Sequence, residues 1–391
     1  MKKIGIATLL NDSTNYGGCL QAYALCKVLN DMGHDTQQIL YRKSSRDLKK
    51  RIISVIKGRR ILNTILNRSL RLLNLVLCKI FKAGDRIRDF NNSFPGFKDR
   101  IPHTDIVYDE KTIYQCNQFD IYITGSDQVW NVEMQHGTDP FYWLEFVPDS
   151  KKRISYAASI SLQDLPEELF PSVRRILSGY HAISVREKSD KELIDRIMDK
   201  DISEWVADPT LLLDKDEWCA LCQDNSFKNK KYIFAYILGD SSSQRKTIER
   251  FAKEKGFIII TIPYLLGQFR KCDKNFGDIR ISECSPGLWL SLIRDAQFVM
   301  TDSFHGCVFS SIFHTPFFAF KRNSDSEKNN MNSRLYSLFS LFRCEHRLVS
   351  DTISANELSN TPSIDFSRID NVIKQEKQKA LEFLRETIEE S

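Results

Sequence analysis

The chain has 391 residues, 42% of them hydrophobic and 27% charged, with a formal net charge of +5. This is the composition of an ordinary soluble protein of about two domains, with a core large enough to need neither metal nor disulfide. The charge is too modest to mark a nucleic-acid binder. No stretch of 18 residues is apolar and free of charge, so no spanning helix is expected. The run Met1 to Thr8 is too short for a signal peptide. The ten cysteines are scattered. Cys19, Cys26, Cys78 and Cys307 sit in apolar segments, and the pair Cys219 and Cys222 has no second pair nearby. Free thiols in a reducing, cytoplasmic compartment are expected, and no metal site.

Ile4 to Leu9 predicts a first buried strand, followed by a polar loop, Asn11 to Gly18. Leu20 to Asn30 has helical apolar spacing and stops near Gly33, and Thr36 to Leu40 predicts a second strand. That order is a βαβ opening of a parallel sheet. Residues 42–84 differ from the rest: 13 Lys or Arg and one acid, Asp47, interleave with Ile and Leu. They read as surface helices over about 42–100, or as a basic amphipathic element lying on an anionic membrane surface. Alternation resumes at Phe119 to Thr124, a strand running into Gly125-Ser126-Asp127-Gln128. Arg153 to Ile160 and Ala182 to Val185 are further strands, the latter leading through Arg186-Glu187 into a helix ending near Met198.

The second half repeats the pattern: a strand at Tyr232 to Leu238, a serine-capped helix at Ser242 to Lys255, and a strand at Phe257 to Ile262. A helix at Pro286 to Asp295 and a strand at Phe298 to Thr301 follow. A charged amphipathic helix, about Ile369 to Glu390, closes the chain. The expectation is an α/β protein of two Rossmann-like domains, 1–181 and 182–391, facing a cleft. Ligands in such sheets bind beyond the carboxyl ends of the strands.

Four polar loops follow predicted strands and are placed to line that cleft. Asn15-Tyr16-Gly17-Gly18 brings backbone N–H groups to a helix N-terminus, although a tight turn explains the glycines equally well. In the second loop Ser126, Asp127 and Gln128 offer polar groups. Asp127 is either a functional carboxylate or a helix cap, and Trp130 and Asn131 either meet a sugar ring or belong to the core. Arg186 ends a strand, where a buried guanidinium needs an anionic ligand or an ion pair with Glu187 or a distant acid. His305, between Ser303 and Gly306 at a strand-to-helix turn, suits an acid, a base or a phosphate-binding cation.

These residues resemble the polysaccharide pyruvyl transferase family. The features are Asn15-Tyr16-Gly17-Gly18 with Leu20-Gln21-Ala22-Tyr23-Ala24-Leu25, then Gly125-Ser126-Asp127-Gln128-Val129-Trp130-Asn131. Ile183-Ser184-Val185-Arg186-Glu187, Thr301-Asp302-Ser303-Phe304-His305-Gly306 and Asn332-Ser333-Arg334 complete the series, over about residues 4–345. The resemblance implies a fold similar to GT-B glycosyltransferases and transfer of a pyruvyl group from phosphoenolpyruvate to a sugar as a ketal, with no separate cofactor. It further implies Arg186 and His305 around phosphoenolpyruvate, a weaker role for Asp127 on the acceptor hydroxyl, and Arg334 among the binding groups. The acceptor would be a glycan; a lipid-linked one would give the basic residues 42–84, which match no part of the family pattern, a purpose in docking at the inner face of the plasma membrane. A GT-B glycosyltransferase with a nucleotide-sugar donor is the alternative, and a non-catalytic carbohydrate-binding scaffold a third reading.

Overall fold

The computed structural model describes residues 1–10, 14–43, 86, 91–265, 269–323, 325 and 332–389. The basic stretch expected to form surface helices therefore falls almost wholly outside the described residues. Two six-stranded sheets organise the chain. The first has the order β2-β1-β3-β4-β5-β6, from Lys3–Ala7 (β1), Asp35–Gln38 (β2), Ile121–Thr124 (β3), Lys152–Ala158 (β4), Ala182–Val185 (β5) and Ser203–Trp205 (β6). The second has the order β12-β11-β10-β7-β8-β9. Its strands are Tyr232–Tyr236 (β7), Ile258–Thr261 (β8), Ile279–Arg280 (β9), Phe298–Thr301 (β10), Phe317–Phe320 (β11) and Leu348–Val349 (β12). Every pairing is parallel. Parallel strands need crossovers that cover both sheet faces, so central strands such as Ile121-Tyr122-Ile123 are apolar on both sides and buried throughout.

The first sheet runs past the boundary expected at 181/182. Ala182 pairs with Ile154, and Ile183 with both Ser155 and Ser203, so β5 and β6 extend the ladder of the first domain. The change of sheet comes between Trp205 and Tyr232. The apolar run at 182–185 was read correctly as a strand; what sequence spacing does not carry is which neighbour it pairs with.

Seven helices matter here: Tyr16–Asp31 (α1), Lys188–Met198 (α2), Ser242–Lys255 (α3), Pro286–Arg294 (α4), Phe304–Phe313 (α5), Ser333–Phe342 (α6) and Phe366–Glu389 (α7). The largest apolar cluster belongs to both domains: Leu20 and Leu25 of α1 share it with Trp289 and Leu290 of α4 and Val308 and Phe309 of α5. Tyr16 stacks on Trp289 at 5.2 Å between ring centroids and 9° between planes, and its hydroxyl donates to Cys284 O at 2.8 Å. Helix α7 returns to the first domain. Phe383 packs near Tyr156, Lys379 Nζ donates to Trp205 O, and Lys152 Nζ donates to Thr387 O. Among the described residues no helix is long and apolar enough to cross a membrane.

Candidate active site

The order of each sheet reverses once, between β1 and β3 and between β7 and β10. Loops at such switch points diverge and leave a crevice beyond the strand ends. Two of the residues at the site, Arg186 and Asp208, follow β5 and β6 of the first domain, and the third, His305, follows β10 of the second.

Arg186 anchors the site. It is 4% exposed, donates from Nε to Glu187 Oε1 at 2.8 Å and from Nη1 to Asp208 Oδ2 at 2.9 Å, and has Asp127 Oδ1 at 3.8 Å. Its guanidinium carbon lies 4.5 Å from the centre of the Phe304 ring. Burial pulls its pKa down, but Glu187, Asp208 and Asp127 outweigh that and hold it above the usual arginine value. The ion pair with Glu187 foreseen from sequence thus forms, and so does one with a distant acid.

Asp208 is the functional-site residue that sequence reasoning missed. Its Oδ1 accepts from Thr210 N at 3.0 Å and Thr210 Oγ1 at 2.7 Å. Its Oδ2 accepts from Arg186 and from Ser126 Oγ at 3.2 Å, and lies 3.6 Å from His305 Nε2. Burial pushes its pKa up, yet His305, Arg186 and the Thr210 hydroxyl together hold it well below the usual carboxylate range. The overlooked signal is Ala207-Asp208-Pro209-Thr210, an acid before proline at a strand end, where it caps a short helical turn.

His305 is 5% exposed in the first turn of α5, which Ser303 caps by accepting from Gly306 N at 3.3 Å. Gly306 is required by packing, since a Cβ there would lie 2.7 Å from Thr301 Oγ1. Ser303 and Gly306 therefore build the turn that carries His305. Gly17 faces it across the domain boundary: a Cβ on Gly17 would lie 1.9 Å from His305 Nδ1. This glycine makes room for the histidine, whereas the sequence reading gave that room to a ligand. Asn15 caps α1, accepting from Gly17 N at 3.1 Å, and Gly18 is buried behind it.

Three charged atoms in this cluster are buried without a hydrogen-bond partner: Arg186 Nη2, Glu187 Oε2 and His305 Nε2. Buried polar atoms are almost always paired, so three orphans in one site point to a missing ligand. Arg334 joins the same pocket with Arg186, Asp208 and Phe304. Burial, together with the neighbouring Arg322 and Arg186, pushes its pKa down to about 10, so it stays cationic near neutrality. Three guanidinium groups, of Arg186, Arg322 and Arg334, thus lie near one another, with Asp127, Glu187, Asp208 and Asp302 set among them.

Other sequence candidates take structural places. Tyr16 is fully buried in the interdomain core, as described above. Trp130 is fully buried too, stacked on Trp143 at 4.9 Å with Nε1 donating to Tyr142 O, so it offers no face to a sugar. Asn131 caps the turn Val132–Gln135 by accepting from Met134 N. The helix cap considered for Asp127 thus belongs to Asn131, which leaves the Asp127 carboxylate beside Arg186. Ser126 links Asp208 to Ala157 O, and Gln128 is 8% exposed on the same loop.

A family model described as polysaccharide pyruvyl transferase matches residues 15–324. A search of curated proteins returns no match. Among solved structures, the chain is similar to a UDP-GlcNAc 2-epimerase of Methanocaldococcus jannaschii in complex with UDP-GlcNAc and UDP. Identity is 10%, coverage 98% of both chains and the TM-score 0.50. It is also similar to a putative UDP-N-acetylglucosamine 2-epimerase of Listeria monocytogenes, at 10% identity, 100% and 97% coverage and a TM-score of 0.49. At such identity the first likeness shows the fold alone, a two-domain α/β architecture of the GT-B kind.

Proposed function

The chain belongs to the polysaccharide pyruvyl transferase family, a family of transferases acting on glycans, and from that premise we propose that it transfers a pyruvyl group from phosphoenolpyruvate to two hydroxyls of a sugar. The acceptor in this reading belongs to a bacterial surface-polysaccharide precursor, lipid-linked at the cytoplasmic face of the membrane. The observation that carries it is the pair of orphaned nitrogens, Arg186 Nη2 and His305 Nε2, beside Arg334. A small ligand with two anionic groups supplies an acceptor for Arg186 Nη2 and a second negative charge facing the Arg334 guanidinium, and phosphoenolpyruvate is such a ligand.

In the proposed reaction His305 protonates the methylene carbon, which leaves an oxocarbenium-like centre at C2. One sugar hydroxyl adds there, the C–O bond to phosphate breaks, and a second hydroxyl closes the ketal. The two hydroxyl protons end on the methyl carbon and the released phosphate, so no outside acid is consumed. Asp208, 3.6 Å from His305 Nε2 and bonded to Arg186, holds acid and cation in register. Arg186 Nη2 is the open donor for phosphate or carboxylate. Asp127, held in a left-handed conformation (φ 68°) beside Arg186, is the candidate to accept the hydroxyl proton.

The test is phosphate release from phosphoenolpyruvate with a panel of free and lipid-linked oligosaccharides, beside the melting temperature with phosphoenolpyruvate or UDP-GlcNAc. Acceptor-dependent release, lost in Arg186→Lys and His305→Ala, is expected. Stabilisation by UDP-GlcNAc and none by phosphoenolpyruvate would overturn the reading in favour of a nucleotide-sugar donor.

A further inference from the structure

Beyond the arginine–histidine cluster, the ends of β11 and β12 form a second polar pocket, walled by Ser241, Gln244, Lys321, Asp325, Ser350 and Asp351. Gln244 is 2% exposed. Its Nε2 donates to Lys321 O at 2.8 Å, which fixes the orientation of the amide, and Oε1 is left buried without a partner. A buried carbonyl oxygen in that position calls for a donor. Asp351 adds a carboxylate 3.4 Å from Ser241 Oγ at the start of α3. On the other wall Lys321 Nζ lies 2.5 Å from Asp325, and Tyr336, 42% exposed, donates from its hydroxyl to Asp325 Oδ1 at 2.6 Å.

Donors and acceptors alternate around this pocket. Among the described lining residues Lys321 and Arg322 balance Asp325 and Asp351, so no net charge favours an ion, and hydroxyls that both donate and accept match the set. We propose that the pocket binds an uncharged sugar residue of the acceptor glycan, away from the sugar that receives the pyruvyl group; this rests on the pyruvyl-transfer reading. Strands β10, β11 and β12 are consecutive neighbours, and Lys321 and Arg322 follow β11, so the pocket begins about one strand spacing, roughly 4.8 Å, from the strand that leads to the His305 turn. Arg322, with Nε donating to Asp302 Oδ2 at 3.3 Å, stands between the two.

The experiment titrates protein loaded with phosphoenolpyruvate with glucose, with β1,3-, β1,4- and α1,4-linked glucose tetrasaccharides, and with an N-acetylglucosamine tetrasaccharide. The Gln244 side-chain amide resonance is followed throughout. At least one tetrasaccharide is expected to move that resonance and to bind about tenfold or more tighter than glucose. Gln244→Leu and Asp351→Asn should each remove that gain and leave the melting-temperature rise from phosphoenolpyruvate unchanged. If no tetrasaccharide moves the resonance, if both variants bind like wild type, or if UDP moves the same amide, the subsite is overturned even where phosphoenolpyruvate still stabilises the fold. Failure of phosphoenolpyruvate to stabilise, with tetrasaccharide binding intact, would instead remove the pyruvyl-transfer reading.

Discussion

Arg186 and Arg245 are each 4% exposed and each rests on an aspartate, yet their surroundings differ in kind. Arg245 donates twice to Asp273 Oδ1, and also to Ser241 O and Gly239 O, all within the second domain. All three of its nitrogens are used. Arg186 keeps Nη2 unbonded, and the histidine that shares its aspartate comes from the opposite domain. The Arg245 region is not satisfied throughout, since neighbouring Arg270 leaves Nη2 without a hydrogen-bond partner, although its Nε faces Asp273 Oδ2 at 3.1 Å. The lesson lies in the pair: a buried cation whose donors are all spent on its own domain is scaffold, whereas one with a donor left over at a domain boundary is a site.

The largest effect expected from this contrast is on stability. Arg245→Met removes the cation on Asp273 Oδ1 and leaves Arg270 alone to pair the carboxylate, a loss of about 3 kcal/mol, with turnover per folded molecule largely kept; denaturant unfolding and assays of the folded fraction check both. If turnover collapses while stability holds, the contrast fails. Arg186→Lys keeps the charge but loses the fork, and a fall in kcat/KM of about 100-fold or more is expected, roughly 2.7 kcal/mol. Gly17→Ala should come next, because the new methyl group displaces His305; a fall in kcat of about tenfold or more, with phosphoenolpyruvate affinity less affected, would locate the damage in proton transfer.

Asp208 sharpens the comparison through pH. Its folded-state pKa lies below the unfolded value of about 3.9. Its contribution is therefore complete above about pH 4 and is lost as pH falls further towards the folded value. Stability measured downward from pH 5 should drop less steeply in Asp208→Asn than in wild type. An equally steep drop would show that Asp208 is not held ionised. The smallest effect belongs to Tyr16→Phe, which removes the bond to Cys284 O: about 1 kcal/mol of stability, with phosphoenolpyruvate binding unchanged in a thermal-shift titration.

Much of the architecture is written in local pattern. The helix Ser242–Lys255 begins at the Ser241 cap and ends at Gly256 with φ 66°, as its sequence predicts. Arg186 and His305 were legible because strand-to-helix turns expose what they carry. Asp208 was not, because an acid before proline reads as a local turn, and only the fold brings it 3.6 Å from a residue 97 positions later. Gly17 was noticed for a different reason from the one the structure gives. For Trp130 the sequence left a sugar contact and the core open, and burial, which sequence does not specify residue by residue, decides for the core; Tyr16, grouped with the glycine loop as a binding residue, is buried in the same way.

The return of α7 to the first domain has a mechanical consequence. The polypeptide crosses the boundary between the sheets twice, once beyond Trp205 and again as Phe366–Glu389 comes back to Tyr156 and Trp205. Two tethers leave the halves little freedom to slide and steer their relative motion toward rotation about one axis. Any such swing would part Asp208 from His305 and so pull apart the two sides of the candidate site.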